Sequence, residues 1–441
     1  MKRRLIKRQA PASGILMQYD NPKGKILLIA FHFPPVASST GHLRTLGFMK
    51  HLPLMGWEPF VLTAHPRSYV SVDPDGLKQV PESGVVRRAF ALDVRRHLSL
   101  KGKYPSMLAL PDRWVSWWPD AVRVGLKLIR EHRIDAIWST YPIATAHLVA
   151  LSLSRRTALP WIADFRDPMK PSHDTRSSRS VSSWLEKRVM RQASLATFTT
   201  PGARQRYAAC YPAAADKLRV ISNGYEEELF ASLPAMQPTM PGERVTLLHS
   251  GLLYPQGRSP IPFFQALARL KSVGEISRDN LRVILRASGY ESEYNRELKR
   301  LDLSDIVFLE PPVSYTQALV EQARSDALLL FQGEEFNAQI PAKVYEYLRI
   351  GLPVLALTDA RGDTAALLKE TGGAVIVPLI DESAIVQALE TFIPRLRAGD
   401  ADRADPLIVD QYSRKACARS FASILDNVVR ENNDKKNANW I

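Results

Sequence analysis

The stretch KILLIAFHFPPVASSTGHLRTLGFMKHLPLMGWEPFVLT, residues 25–63, decides the fold. KILLIAF (25–31) is an apolar run of strand length that breaks at HFPPVASSTG. Leu43, Leu46, Met49 and Leu52 then recur at the spacing of one helical face, and PFVLT (59–63) is a second strand-length run. A β-loop-α-β unit with unbroken apolar strands predicts a parallel sheet covered by helices.

The alternation continues outward from this unit. A helix over 120–132, the strand AIWST (136–140), a helix over 143–156, the strand WIADF (161–165) and the helix SVSSWLEKRVMRQA (180–193) are predicted in turn. LATFTT, ARQRYAAC and KLRVISNG complete the first half, while residues 66–116 read as irregular. Residues 226–243 hold three prolines and two methionines with little periodicity, which marks a linker. From VTLLHSG (245–251) to helix 382–396 the same alternation repeats, and a last helix is expected over about 411–430. The fold class is therefore α/β: two doubly wound domains facing a cleft between the carboxyl ends of their strands. Residues 1–24 form a polar, basic leader expected to be mobile, 25–226 the first domain and 227–410 the second.

A chain of 441 residues fits two domains better than one core. Its 45% hydrophobic and 24% charged content is that of a globular protein. Cys210 and Cys417 make neither a disulfide framework nor a zinc spacing, in keeping with a reducing, cytoplasmic compartment. No apolar run is long enough for a signal peptide core or a membrane span. The net charge of +14 is clustered, as in Arg87–Arg88, Arg95–Arg96 with Lys101 and Lys103, and Arg176 to Arg191. Such surfaces attract nucleic acid, anionic lipid or anionic substrates alike. No nucleic-acid recognition module accompanies the charge, so nucleic acid is not expected as a partner. Trp114, Trp117 and Trp118, with Trp184, Leu185, Val189 and Met190 beside Lys187, Arg188 and Arg191, suggest a peripheral hold on an anionic membrane surface. The plainer reading is a solvated basic face around an ordinary core.

Several strand ends carry candidate chemistry. Ser38, Ser39, Thr40 and Gly41 sit where the first helix begins and can offer N–H groups and hydroxyls to an anion, or simply cap the helix. No dinucleotide or Walker fingerprint is present, which argues against a nicotinamide or flavin cofactor. ADFRDP (163–168) projects Asp164, Arg166 and Asp167 from a strand end, as a reactive cluster or as a loop-fixing ion pair. Trp138, Ser139, Thr140 and Tyr141 end the neighbouring strand. After the first strand of the second half, Gly251 permits close backbone approach, and Arg258 supplies a fork of donors for phosphate. In IPAKVYEYLRIGLPVLAL (340–357), Pro341 suits a helix start. Lys343 adds a cation there, and Glu346 offers a carboxylate for two sugar hydroxyls or for the helix dipole. Together these residues outline a nucleotide-diphosphate site with no metal cluster.

In this order, FPPVASSTGHLR, ADFRDP, ISNGYEEELF, HSGLLYPQGRSP and IPAKVYEYLRIGLPVLAL resemble the family 4 retaining glycosyltransferases, over about residues 25–430. The resemblance implies the GT-B architecture of two Rossmann-like domains, with the segment 411–441 crossing back to the first. It implies donor binding by Ser39, Thr40, Gly41, Gly251, Arg258, Lys343 and Glu346, with Glu346 on the ribose. Arg44, Thr140 and Tyr141 fall on the acceptor side, and Asp164, Arg166 and Asp167 are assigned the catalytic work there by position. The implied reaction moves a sugar from a nucleotide diphosphate sugar to a hydroxyl of a lipid-linked or growing glycan, with retention and without cofactor or metal, in bacterial polysaccharide synthesis. Three positions depart from the pattern. Ala338 stands where the first glutamate of the E-x7-E pair belongs, Leu252 where an arginine is common, and no histidine occupies 138–140. Ala338 keeps a nucleotide-sugar-binding protein without turnover in view, and a nucleotide-sugar epimerase shares the architecture.

Overall fold

The computed structural model describes residues 22–37, 41–101, 103–169, 175–231 and 244–438. The basic leader up to residue 21, the Ser38–Thr40 turn and most of the expected linker lie outside these residues.

Among the described residues, thirteen strands form two parallel sheets. The first holds β1 (Gly24–Ile29), β2 (Trp57–Ala64), β3 (Val85–Ala89), β4 (Ala136–Thr140), β5 (Trp161–Phe165), β6 (Leu195–Phe198) and β7 (Leu218–Val220), in the order β3-β2-β1-β4-β5-β6-β7. The second holds β8 (Val245–Ser250), β9 (Leu281–Arg286), β10 (Val307–Glu310), β11 (Ala327–Gln332), β12 (Val354–Thr358) and β13 (Ala374–Val377), in the order β10-β9-β8-β11-β12-β13. In each sheet the order reverses beside the first strand, and that is where an open α/β sheet opens a crevice at its carboxyl edge.

The continuous apolar runs have the physical cause expected of them. Leu27 and Ile29 of β1 enter the core on one face, and Ile26 and Leu28 the core on the other, so both faces are covered. The second face is closed by the C-terminal helix Arg414–Ala438, which lies against the helix His42–His51. Its Phe421 ring stacks on Phe48 at 4.6 Å, and Asp426 accepts from Trp57 Nε1 at 2.9 Å. The chain therefore crosses back from the second sheet to the first, as the resemblance implied. The two crossing segments pair at Tyr225 and Ser413: Arg414 N donates to Tyr225 O at 2.8 Å, and Tyr225 N to Tyr412 O at 3.2 Å.

Two expectations are corrected. The irregular reading of 66–116 missed β3, VVRRA, which pairs with β2 from the sheet edge. An edge strand half open to water carries Arg87 and Arg88, so it shows no apolar run. The apolar residues expected to face a membrane mostly face the core. Trp117, Leu185, Val189 and Met190 are buried, and Trp114 packs its ring 4.9 Å from Phe31, while Trp184 and Trp118 remain 48% and 37% exposed. Among the described residues no helix is long and apolar enough to cross a membrane.

Candidate active site in the interdomain cleft

A cleft of about 430 Å³ lies between the two sheets. Its first wall comes from segments after β1, β5 and β7, namely Gly41, Arg44, Arg166, Asp167, Ser222 and Asn223. Its second wall comes from segments after β8, β10 and β11, namely Arg258, Tyr315, Gln339, Ile340, Lys343 and Glu346. Every one of these segments leaves the carboxyl end of a parallel strand, so the topology alone brings residues three hundred positions apart face to face.

The second wall is cationic at its centre. The helix Ala342–Ile350 starts after Pro341 and points Lys343 back under β8, where its Nζ donates to the Ser250 carbonyl at 2.6 Å and lies 3.3 Å from His249 Nε2. His249 Nδ1 faces the Leu329 carbonyl at 2.9 Å and so carries the proton, leaving Nε2 as the acceptor for lysine. Burial, with Lys343 beside it, holds the His249 ring well below the usual histidine range, which keeps it neutral. Gly251 has φ +121°, and a Cβ there would stand 2.7 Å from Lys343 Nζ. Only glycine leaves room for the ammonium against this turn. Burial and the nearby Arg258 guanidinium pull the Lys343 pKa down to about 7, against the opposing pull of Glu346.

Arg258 is held by its faces, not its hydrogens. Its guanidinium lies 5.2 Å from the Tyr254 ring centroid and 5.3 Å from that of Phe336, while its buried Nε meets no acceptor. Among the described residues neither Arg258 nor Lys343 has a carboxylate within ion-pair distance. Two unneutralised cations in a half-enclosed cleft favour an anion strongly, since attraction there is screened less than in water.

Glu346 lies one helical turn beyond Lys343, where its Oε1 accepts from the Tyr315 hydroxyl at 2.6 Å. Burial raises its pKa, opposed by Tyr315, Arg414 and Lys343. Tyr315 opens the helix Tyr315–Ala323 just after a Ser314–Gln317 capping box. Arg414, first residue of the C-terminal helix, lines the cleft and is steadied by Glu226 at 3.8 Å. Neither Tyr315 nor Arg414 was legible as a site residue, because each reaches the cleft from an element whose own sequence is an ordinary helix start.

On the first wall the predicted residues separate into two groups. Asp164 is fully buried at the end of β5, and its carboxylate accepts from Arg44 Nε at 3.1 Å and Nη2 at 2.9 Å. It also accepts from Thr140 Oγ1 at 2.9 Å and Thr197 Oγ1 at 2.7 Å. Arg44 donates further to the carbonyls of Ser222 at 2.8 Å and Ile221 at 3.0 Å. Asp164, Arg44 and Thr140 thus tie β4, β5, β6, the first helix and the turn after β7 into one brace, with every lone pair of Asp164 directed inward. Arg166 spans the loops by donating to the carbonyls of Tyr141 and Gly41, both at 2.7 Å, and burial lowers its pKa. Arg166 and Asp167 line the cleft, whereas Asp164, Thr140, Tyr141 and Gly251 stand behind its surface. Ser39 and Thr40 lie outside the described residues.

The two walls also touch. Thr200 Oγ1 donates to the Ala338 carbonyl at 2.8 Å, and Gly202 N donates to the Asp363 carboxylate at 2.9 and 3.1 Å. The backbone at Ala338, where the resemblance expects a glutamate, is therefore part of the contact between the sheets.

Residues 40–224 match the model of the glycosyl transferase 4-like domain. A search of curated proteins finds no significant match. Solved structures share the whole architecture at low identity. Sucrose-phosphate synthase from Thermosynechococcus elongatus is 13% identical with a TM-score of 0.60, covering 93% of this chain and 100% of its own. Anabaena HepE in complex with UDP is 17% identical at 0.57, covering 91% and 100%. The lipopolysaccharide outer core galactosyltransferase WaaB is 14% identical at 0.60, covering 92% and 99%. The chain has the GT-B fold of two Rossmann-like domains, and its first domain is similar to that of family 4-like glycosyltransferases.

Proposed function

We propose that the chain is a glycosyltransferase that takes a sugar from a nucleotide diphosphate sugar and joins it, with retention, to a hydroxyl of a lipid-linked or growing glycan. The observation that carries this reading is the pair of cations Arg258 and Lys343, without an ion-pair carboxylate among the described residues, in a single cleft with Glu346. Loss of a diphosphate from an anomeric carbon leaves negative charge on the leaving group. Fixed donors aimed at that charge contribute on the order of 3–4 kcal/mol of barrier lowering. Arg258 and Lys343 are those donors, and Glu346 accepts the ribose hydroxyls in place of the Tyr315 hydroxyl. Arg166 and Asp167 face them from the acceptor wall, and the departing phosphate helps take the acceptor proton, so no protein nucleophile enters. No metal or cofactor is part of the proposal. The complex of Anabaena HepE with UDP supports a nucleotide sugar as the partner, and the likeness to WaaB, a lipopolysaccharide outer core galactosyltransferase, supports a role in polysaccharide synthesis.

A second reading has one observation in its favour: a putative UDP-N-acetylglucosamine 2-epimerase from Listeria monocytogenes also shares the fold, at 12% identity and a TM-score of 0.55. A thermal-shift panel of nucleotide sugars, followed by incubation of the stabilising donor with a membrane extract, tests both. Transfer to a glycan supports the proposal. Interconversion of free donor without acceptor supports the epimerase, and stabilisation without any turnover leaves a binding protein.

A further inference from the structure

We propose that the hollow between the C-terminal helix and the amino edge of the first sheet binds a small sugar phosphate. This cavity of about 470 Å³ is similar in size to the interdomain cleft and shares no residue with it. Ser194 and Leu195 stand at the start of β6, and Lys217 and Arg219 flank the start of β7. The cavity therefore opens at the end of the strands opposite to the cleft. Its other wall is one face of the helix Arg414–Ala438, where Ile424, Asn427, Val428, Glu431 and Lys435 recur at helical spacing. The helix lies there because Phe421, Leu425 and Val428 are buried in the core on the second face of the sheet. That burial carries its polar flank over the edge of the sheet.

The cations of this site are fixed but not neutralised. Lys217 Nζ donates to the carbonyls of Arg191 at 3.2 Å and Ala193 at 3.0 Å. Arg219 Nη1 donates to the carbonyls of Asp216 at 2.8 Å and Leu218 at 3.0 Å. Arg430 Nη2 donates to Asn427 Oδ1 at 2.9 Å. All of these acceptors are neutral. Among the described residues no carboxylate lies within ion-pair distance of these cations or of Lys435. Four cations thus face two carboxylates, Asp216 and Glu431, and neither carboxylate is paired. Burial lowers the Lys217 pKa, with no carboxylate opposing it.

A phosphate group supplies the missing charge, because its three terminal oxygens can take donors from several cations at once. The rest of the lining fits a polyhydroxylated body. Asn427, whose Oδ1 is engaged by Arg430, keeps its amide donors, and Asn432, Asp216 and Glu431 add a further donor and acceptors for hydroxyls. Leu195, Val428 and Ile424 form an apolar floor for ring carbons. Inorganic phosphate would use the cations but leave the two carboxylates facing it. Nucleic acid fits poorly, because the lining holds no aromatic ring on which a base could stack. A ligand here bridges the helix to the sheet, and that helix begins at Arg414 on the wall of the cleft. Occupancy therefore stabilises the crossing that joins the two domains. None of this depends on what the cleft binds.

Isothermal titration with glucose 6-phosphate, fructose 6-phosphate, ribose 5-phosphate, glucose and inorganic phosphate tests the site. One or more of the sugar phosphates should bind roughly tenfold more tightly than inorganic phosphate, and glucose should not bind. Arg219→Gln/Arg430→Gln should weaken that binding about 100-fold, about tenfold for each charged donor removed. Both side chains are exposed, and melting temperature confirms that this variant folds. Arg258→Gln/Lys343→Gln, which strips the cations from the cleft, should leave sugar-phosphate binding unchanged. Hydrogen exchange should show protection of residues 424–435 when the sugar phosphate is added. Inorganic phosphate binding as tightly as every sugar phosphate overturns the proposal and leaves a basic patch. Equal affinity in wild type and Arg219→Gln/Arg430→Gln overturns it too, and loss in the cleft variant instead would move the ligand to the cleft. A protein that binds a sugar phosphate here but is stabilised by no nucleotide sugar refutes the transferase reading alone. One that is stabilised by nucleotide sugars but binds no sugar phosphate refutes this site alone.

Discussion

Lys343 should make donor affinity fall as pH rises through neutrality. In the unliganded protein its pKa stands at about 7, because burial and Arg258 disfavour the ammonium more than Glu346 restores it. A donor diphosphate supplies the missing negative charge, so it binds the protonated form and raises this pKa. Affinity is then full below pH 7 and declines above it in step with the charged fraction. Between pH 6 and pH 8 that fraction drops from about 0.9 to about 0.1, so the dissociation constant should rise about tenfold. A nucleotide sugar is the right probe, since its diphosphate carries no proton that titrates in this window, whereas a free nucleotide diphosphate would. His249 does not interfere, because it is held neutral throughout. Isothermal titration at several pH values, in buffers of different ionisation enthalpy, gives both the affinity and the proton taken up. In Lys343→Arg the guanidinium stays charged, and the pH dependence should vanish whatever the absolute affinity. A flat profile in the wild type, or an unchanged slope in Lys343→Arg, would refute the reasoning. The same group has the opposite signature in folding. The unfolded chain keeps this proton up to about pH 10.5, so the lysine costs stability below pH 7 and returns it as pH climbs from 7 toward 10.5.

Three further outcomes follow from the geometry. Asp164→Ala leaves Arg44 buried without its carboxylate and should destabilise the protein by about 3–5 kcal/mol in urea unfolding, while Asp167→Ala should change stability little. A fully stable Asp164→Ala that has only lost turnover would make Asp164 a reacting group and not a brace. Gly251→Ala forces a side chain into φ +121° and against Lys343 Nζ, so it should lose about 1–3 kcal/mol of stability along with donor binding. Glu346→Ala should abolish stabilisation by nucleotide sugars in thermal shift with the fold intact, and normal donor binding by that variant would displace the site.

The alternation of apolar runs was enough for the architecture, because a strand covered on both faces must be apolar at every position. The same logic hid β3, whose edge position lets Arg87 and Arg88 face water. For the site, Gly41, Arg166, Asp167, Arg258, Lys343 and Glu346 were legible because each follows a strand end, and the cleft does gather them. Asp164, Thr140 and Arg44 carry the same sequence signal, yet they are turned into a brace: whether a strand-end carboxylate points along the sheet or out of it depends on neighbours from three other elements.

What the amino-acid sequence determined by itself is the set of elements and the end of each sheet at which chemistry gathers, since periodicity and strand polarity are local properties. What only the tertiary structure decided is which charges remain unneutralised. Among the described residues Arg258 and Lys343 lack carboxylates within ion-pair distance, Tyr315 and Arg414 converge on Glu346, and Trp114 and Trp117 face inward while Trp184, Leu100 and Met107 face out. Neutralisation and exposure depend on distances between segments remote in the chain, and no spacing along one segment contains that information.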